Sequence, residues 1–259
     1  GVCGSTVQAI REAKTAKKYG YDFTLLSMGG LNSYSEKELI ERTKAVSNEI
    51  GVFGFYLQPS VGGRILSYNF WKEFCEIENV FAIKIAPFNR YHTLEVVRAV
   101  CNSSRSDEIA LYTGNDDNIV LDLIIPFKFK VGSRIVSKRF VGGLLGHYAV
   151  WTKKSLELFN FIKQNLKSNS INYDEILQTA VEITDMNSAL FDVANNFKGS
   201  ISGVHEVLRR QGLLKGVWCL SPDEKLSNGQ SEELDRVISQ YEKWIDDDYV
   251  KEFIENDKL

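Results

Sequence analysis

The sequence is poor in the features that mark metal, disulfide and nucleotide sites. It has four cysteines and three histidines among 259 residues, and no two cysteines have the Cys-x-x-Cys spacing of a zinc site. Such scattered cysteines also do not form the dense framework of a disulfide-rich secreted domain. No Gly-x-Gly-x-x-Gly or Walker-type loop is present, which weakens the case for nucleotide binding. We therefore expect reduced thiols, a cytoplasmic location and no metal site.

Long apolar runs and a charge excess are missing as well. No stretch reaches the roughly 18 apolar residues of a membrane-spanning helix, and the first residues give no expectation of a signal peptide. The formal net charge of -3 gives no electrostatic basis for binding nucleic acid or an anionic membrane. The composition, 44% hydrophobic and 25% charged, is that of a globular protein. The chain is long enough for one large domain.

Apolar patterns predict alternating strands and helices over most of the chain. Strands are predicted at 22–28, 52–59, 80–87, 108–114 and 139–146, and helices at 7–20, 35–51, 67–79, 93–102, 116–126 and 153–167. This alternation indicates parallel βαβ units. Thr6 is a plausible N-cap of the first helix, and Ser35 with Glu38 forms a capping box on the second. The basic segment 127–138 is predicted to be a protruding loop or hairpin.

The strands cease after about residue 170. Helices are predicted at 173–197, 203–214 and 231–247. We therefore divide the chain into a β/α part, 1–168, and a helical extension, 169–259. The β/α part fits two plans, an open doubly wound sheet or a portion of a (β/α)8 barrel.

A lysine interrupts the apolar strand in NVFAIKIAPFNR, residues 79–90. Lys84 stands near the carboxyl end of that strand, where βα-loops build active sites. Removal from water there would lower the pKa of the amine and favour its uncharged form. An uncharged amine can form a Schiff base with a ketone. The structural alternative is a lysine that pairs with a carboxylate or reaches solvent. Tyr56 ends the preceding strand, so its phenol could relay protons; alternatively it is a core aromatic.

These residues resemble a known family. A strand ending in Tyr-x-x-Pro, FYLQPSVGG, precedes a strand ending in Ile-Lys, NVFAIKIA, and the loop YTGNDDNIVLDL follows. This order is similar to that of the dihydrodipicolinate synthase and N-acetylneuraminate lyase family. The family consists of (β/α)8 TIM-barrel class I aldolases with a C-terminal helical extension. The resemblance runs over nearly the whole chain.

The resemblance implies roles for particular residues. Lys84 would be the Schiff-base lysine and Tyr56 the proton relay, while Gly114, Asp116 and Asp117 would line the pocket for a hydroxylated substrate tail. The alternative for the acidic pair is a solvated loop in which Asp116 caps the next helix. The resemblance further implies a small 2-oxo acid substrate, no added cofactor and a homotetramer.

The sequence also departs from the family. The first two strands and most of the third have no counterpart, so we expect a fragment of a longer gene product. The residues that grip the keto-acid carboxylate would lie upstream of Gly1. Gly30 and Leu31 replace a tyrosine pair of the synthases, and Val61 replaces an arginine.

Three interpretations remain at this point. The first is a divergent aldolase acting on pyruvate or on a longer 2-oxo acid, such as one derived from a sugar. The second is a non-catalytic or truncated member that serves as a binding or assembly module. The third is an open-sheet enzyme that binds an anion at a helix N-terminus. His147 follows the last strand and could face the pocket, but we interpret it as structural.

Overall fold

The structure, a computed structural model, describes residues 1–168 and 171–257. The strands are β1 Phe23–Leu26, β2 Gly51–Leu57, β3 Val80–Ala86, β4 Ala110–Thr113, β5 Phe127–Val131, β6 Arg134–Lys138 and β7 Phe140–Gly143. The helices are α1 Thr6–Lys18, α2 Glu36–Ser47, α3 Tyr68–Cys75, α4 Arg90–Asn102, α5 Ile119–Ile124, α6 Thr152–Lys167, α7 Tyr173–Leu190, α8 Ser200–Arg210, α9 Gln230–Gln240 and α10 Asp247–Asp257.

The chain forms two compact units. The first comprises Gly1–Asn115 and Ile125–Leu144, and the second Asp116–Ile124 and Leu145–Leu259. The predicted division at residue 168 follows sequence position alone. The units instead group α5 with α7, which comes much later in the chain.

The first unit is built on a five-stranded parallel sheet in the order β1-β2-β3-β4-β7. Each strand of this sheet lies beside the strand that precedes it in the chain. Strands β5 and β6, which come between β4 and β7 in the chain, form a separate hairpin. A doubly wound sheet reverses its strand order, so this sequential winding is that of a (β/α) barrel and excludes the open-sheet plan. Val2 forms an isolated parallel bridge to Leu26, at the β1 edge of the sheet. The sheet does not close into a barrel within the described residues.

The two faces of this sheet differ. Helices α3 and α4 cover one face, where Gly54, Tyr56 and Ile83 are packed. Phe53, Phe55, Lys84, Tyr112 and Gly142 share the opposite face, which we call the open face. This follows because side chains of paired residues on neighbouring strands point to the same side.

Helix capping and the hairpin follow the sequence closely. Ser35 and Glu38 make the predicted capping box, with reciprocal bonds between side chains and backbone amides. Helix α1 begins at Thr6, and its N-cap is Ser5 rather than Thr6, because Ser5 Oγ accepts from Gln8 N–H. The basic segment forms the antiparallel hairpin β5–β6, separate from the main sheet.

The second unit is helical, as predicted for the end of the chain. Its apolar core includes Ile183, Met186, Leu190 and Val207, each about 1% exposed or less. The predicted helix at 231–247 ends at Gln240, and α10, which follows, was not predicted separately. None of the described helices is long and apolar enough to cross a membrane.

Candidate functional site

Lys84 lies on the open face, in the carboxyl half of β3. Its backbone pairs with Phe55 of β2 and with Tyr112 of β4. The side chain is half-buried, and Nζ lies 4.5 Å from the centroid of the Phe55 ring. The amine therefore lies against an aromatic ring, on a surface that the helices of this unit leave uncovered.

Gly114 makes room for the lysine. It follows β4, and its amide donates to the carbonyl of Ile85 at 2.8 Å. A Cβ at this position would lie 2.7 Å from Lys84 Cε and 2.7 Å from Ala86 Cβ, which is shorter than any normal carbon–carbon contact. The glycine is thus required where the lysine stem passes the end of β4. The structure places this predicted site residue beside Lys84.

Tyr56 lies on the opposite face from Lys84. It is 1% exposed, and its ring packs on Trp71 and His92, with centroids 5.1 and 6.0 Å away. Its hydroxyl accepts from the Leu66 amide at 3.4 Å. Burial raises the pKa of the phenol, and this outweighs the opposing effect of the Leu66 hydrogen bond. The ring therefore leaves the sheet toward α3 and α4, and the role of Tyr56 as the proton relay of Lys84 stays a prediction.

The reason is a one-residue register shift. Val52 pairs with Val80, a separation of 28 residues that would also align Tyr56 with Lys84, but Phe53 pairs with Ala82. The extra residue, Phe81, is a β-bulge. A shift of one residue exchanges the faces of all later side chains relative to the neighbouring strand. Phe55 consequently takes the place beside Lys84.

The open face carries a phenol that the sequence analysis missed. Tyr112 pairs with Lys84, and its ring meets Phe53 edge to face at 5.4 Å. The available signal was its position two residues before Gly114 in a predicted strand. Because strand side chains alternate, that spacing puts both residues on one face.

Asn115 fixes the loop that follows β3. Its Oδ1 accepts from the Phe88 amide at 3.2 Å, and its Nδ2 donates to Thr93 Oγ1 at 3.2 Å. Phe88 has a φ of +48°, a left-handed conformation that is costly for a residue with a side chain. The asparagine therefore stabilises a strained loop just beyond Lys84.

Replacing Asn115 with alanine should destabilise the first unit by about 2 kcal/mol, because the half-buried Phe88 amide and the buried Thr93 hydroxyl lose their hydrogen bonds to it. Urea unfolding followed by circular dichroism measures this loss. The Asn102→Ala variant is the control, since the Asn102 side chain is exposed and donates to Arg98 O within its own helix. Equal stabilities for the two variants would show that Asn115 does not hold the loop.

Asp116 and Asp117 belong to the second unit and are engaged there. Asp116 is 6% exposed, and its Oδ1 accepts from the His147 amide at 2.9 Å. The Asp117 carbonyl accepts from Thr184 Oγ1. Helix α5 begins at Ile119, three residues after Asp116, so Asp116 is not at its N-cap position. Their role in binding a substrate tail stays a prediction.

His147 is part of the same buried network. It is 2% exposed, and Nδ1 lies 2.6 Å from Asn187 Oδ1. Asn187 Nδ2 donates to the Asp116 carbonyl at 2.7 Å, so Oδ1 is its acceptor and His147 Nδ1 carries the proton. Burial lowers the pKa of His147 to about 4. The imidazole is thus neutral at physiological pH, in accord with a structural role.

Arg64, the arginine nearest Val61, is engaged elsewhere. It donates to the carbonyls of Leu31 and Tyr34, at 2.9 and 2.8 Å. It therefore ties down the loop after β1. Val61, which stands where the synthases have an arginine, is 44% exposed. Because Arg64 is bound to these two carbonyls, it does not take the place of that arginine.

A sequentially wound parallel sheet followed by a helical unit is the architecture of a (β/α) barrel with a C-terminal helical extension. Comparison with known proteins agrees. The chain is 32% identical over 117 residues to 4-hydroxy-tetrahydrodipicolinate synthase of Clostridium novyi (strain NT), a match covering 45% of this chain and 38% of that protein. No family model matches the chain.

Solved structures share the fold. Dihydrodipicolinate synthase from Oceanobacillus iheyensis has a TM-score of 0.68 at 18% identity, covering 92% of this chain and 71% of that one. N-acetylneuraminate lyase from Fusobacterium nucleatum, complexed with pyruvate, has a TM-score of 0.66 at 16% identity, covering 92% and 70%. The sequence match and the shared fold together confirm the resemblance to the dihydrodipicolinate synthase and N-acetylneuraminate lyase family, and the chain spans less than half the length of the synthase that it matches.

Proposed function

We propose that this protein is a Schiff-base-forming lyase of the class I aldolase type, with Lys84 as its nucleophile. The observation that supports this most directly is the placement of Lys84 on the open face, beside Phe55 and against the gap left by Gly114. The substrate would be pyruvate or a longer 2-oxo acid. The N-acetylneuraminate lyase that shares the fold was solved with pyruvate, which supports a ligand of this class.

The chemistry needs no added cofactor. The uncharged amine attacks the ketone carbon, and loss of water leaves a protonated imine. This cation withdraws electrons from the neighbouring carbon, so a proton can leave there or a carbon–carbon bond can break. Aldol cleavage, condensation and dehydration all pass through this intermediate. Assembly as a homotetramer is a part of the proposal that rests on the resemblance alone, and a cytoplasmic location rests on the few, scattered cysteines.

Trapping with pyruvate and borohydride tests the proposal. Reduction of the imine should leave a stable adduct, which peptide mapping by mass spectrometry should find on Lys84. Lys138 supplies the control, because burial lowers its pKa and its Nζ donates to the Ser106 carbonyl at 2.5 Å. Lys84→Arg should abolish the adduct and Lys138→Arg should preserve it. An adduct on Lys138, or none in the unmodified protein, would contradict the proposal.

A non-catalytic binding module is the second candidate, and one observation favours it. Tyr56, the relay implied by the resemblance, faces α3 and α4 instead of Lys84. A module of this kind would bind a 2-oxo acid without covalent capture. Two results together would identify such a module: calorimetric titration detects binding of pyruvate, and borohydride treatment leaves no covalent adduct.

A further inference from the structure

We propose that the hairpin β5–β6 of one copy of this chain binds in a groove between α2 and α3 of a second copy. Both surfaces belong to the first unit. The inference goes beyond the proposed function, because Lys84 belongs to neither surface.

The outer face of the hairpin is basic around one apolar side chain. Lys128 pairs with Ser137 and Lys130 with Ile135, so these four side chains leave the ribbon on the same face. All four are exposed, Ile135 to 65%. The segment 127–139 carries five lysines and arginines and no carboxylate. The outer face is therefore suited to a partner surface that combines carboxylates with apolar side chains.

The hairpin is anchored at the amino ends of the strands. The ring of Phe127 meets that of Phe140, the first residue of β7, with centroids 5.5 Å apart. Lys138 Nζ donates to the carbonyl of Ser106, which precedes β4. Lys84 lies in the carboxyl half of its strand. A partner on the hairpin would therefore bind at the opposite end of the sheet from the candidate active site.

A groove lies at the same end of the sheet, between α2 and α3. Asn48, which precedes β2, and Asn79, which precedes β3, both line it. Its volume is about 600 Å³, within the range of pockets that hold small ligands. The buried side chains of Ile40 and Ile77 contribute to its lining. The groove can therefore receive the ends of several side chains and has apolar surface for one of them.

The charge of the groove is complementary to that of the hairpin. Its lining includes three exposed carboxylates, those of Glu73, Glu76 and Glu78. It also includes the amine of Lys44, whose charge is offset by Glu41 at 2.8 Å. Opposite charges across an interface attract the partners and fix their register. The lysines of the hairpin can thus pair with these carboxylates.

The partner of the hairpin must be another molecule. Its inner face contacts α4 through both strands, so its outer face points away from its own unit. Pairing two hairpins edge to edge would bring lysines together, which is how edge strands avoid association. The net charge of -3 gives nucleic acid no long-range attraction to the chain. A second copy supplies both the carboxylates and the apolar groove.

Sedimentation velocity over a series of protein concentrations tests this dimer. Contacts of this size are typical of weak, transient interfaces, and raising the salt from about 0.1 M to about 1 M should weaken the dimer, because it shortens the Debye length from about 10 Å to about 3 Å. Lys128→Glu with Lys130→Glu should raise the dissociation constant about tenfold or more, because attractive pairs become repulsive. Glu73→Lys with Glu78→Lys should do the same. A chain that carries all four changes should regain the dimer, because opposite charges face each other again.

Two exposed residues outside both surfaces supply matched controls, Lys37→Glu for the charge and Ile65→Asp for the isoleucine. Both should dimerise as the unmodified protein does, whereas Ile135→Asp should weaken the dimer. Thermal melting checks that every variant is folded. Equal weakening by the controls, or no recovery in the fourfold variant, would overturn the inference.

Carbodiimide cross-linking identifies the contact directly, because it joins an amine to a touching carboxylate. In a mixture of ¹⁵N-labelled and unlabelled protein, peptides from the hairpin and from α3 should be linked across labels. A monomer at every concentration, or links within one label only, would overturn the inference. So would binding of an oligonucleotide or an anionic vesicle that depends on Lys128 and Lys130 in a protein that stays monomeric. All variants should still be trapped at Lys84, so a failed pyruvate trap would contradict the proposed function alone.

Discussion

Alanine at position 114 should slow covalent capture of pyruvate by about 100-fold, the loss expected when a reacting group is misplaced by about an ångström. The new methyl carbon would lie 2.7 Å from both Lys84 Cε and Ala86 Cβ. The lysine stem is flexible and would move aside, whereas Ala86 is part of β3. The amine would therefore leave its position over Phe55. Timed borohydride quenching with pyruvate measures the change.

Gly54→Ala is the matched control for this variant. Its methyl carbon would lie 2.6 Å from Cζ of Phe74, so it overpacks the helix-covered face of the same sheet. Overpacking costs about 1 to 3 kcal/mol, and we expect both variants to lose stability of this order in urea unfolding. Gly54→Ala should nevertheless retain the unmodified capture rate. Equal losses of capture in both variants would show that general destabilisation, and not displacement of Lys84, is responsible.

Acidification should destabilise the second unit through His147. Its pKa is about 4 in the folded state and about 6.5 in an unfolded chain. Between these values the unfolded chain binds more protons, so stability falls as the pH falls. The full loss from this residue between pH 7 and pH 4 is about 3 kcal/mol, since protonation requires charging a buried imidazole.

The comparison with His147→Gln isolates this contribution. Glutamine has no titrating side chain. Between pH 7 and pH 4, the free energy of unfolding measured with urea should therefore fall by about 3 kcal/mol less in this variant than in the unmodified protein. The variant should be less stable than the unmodified protein at pH 7, because the hydrogen bond to Asn187 is altered. Parallel pH dependences in the two proteins would show that the buried histidine does not carry the effect.

Local signals in the sequence predicted much of the fold. The five strands, the capping box at Ser35 and the basic hairpin all lie where the pattern of apolar residues, caps and turns indicated. These features depend on residues within a few positions of one another. The same holds for Lys84 near the carboxyl end of its strand, which is an exception within an apolar run.

The relation between side chains on different strands was not predictable in the same way. Tyr56 and Lys84 are separated by the same 28 residues that separate Val52 and Val80, yet only the latter pair are partners. Phe81 is apolar and fits a strand, and its 39% exposure becomes apparent only in the assembled sheet. Its ring meets that of Phe23 at 5.4 Å, a contact between distant parts of the chain.

By itself, the sequence determined that a parallel β/α sheet presents a lysine near the end of its third strand. Only the tertiary structure decided which phenol accompanies that lysine. The physical reason is that strand side chains alternate between two faces, so one bulged residue between Val80 and Ala82 turns Tyr56 toward the helices. The continuous register between β3 and β4 places Tyr112 beside Lys84.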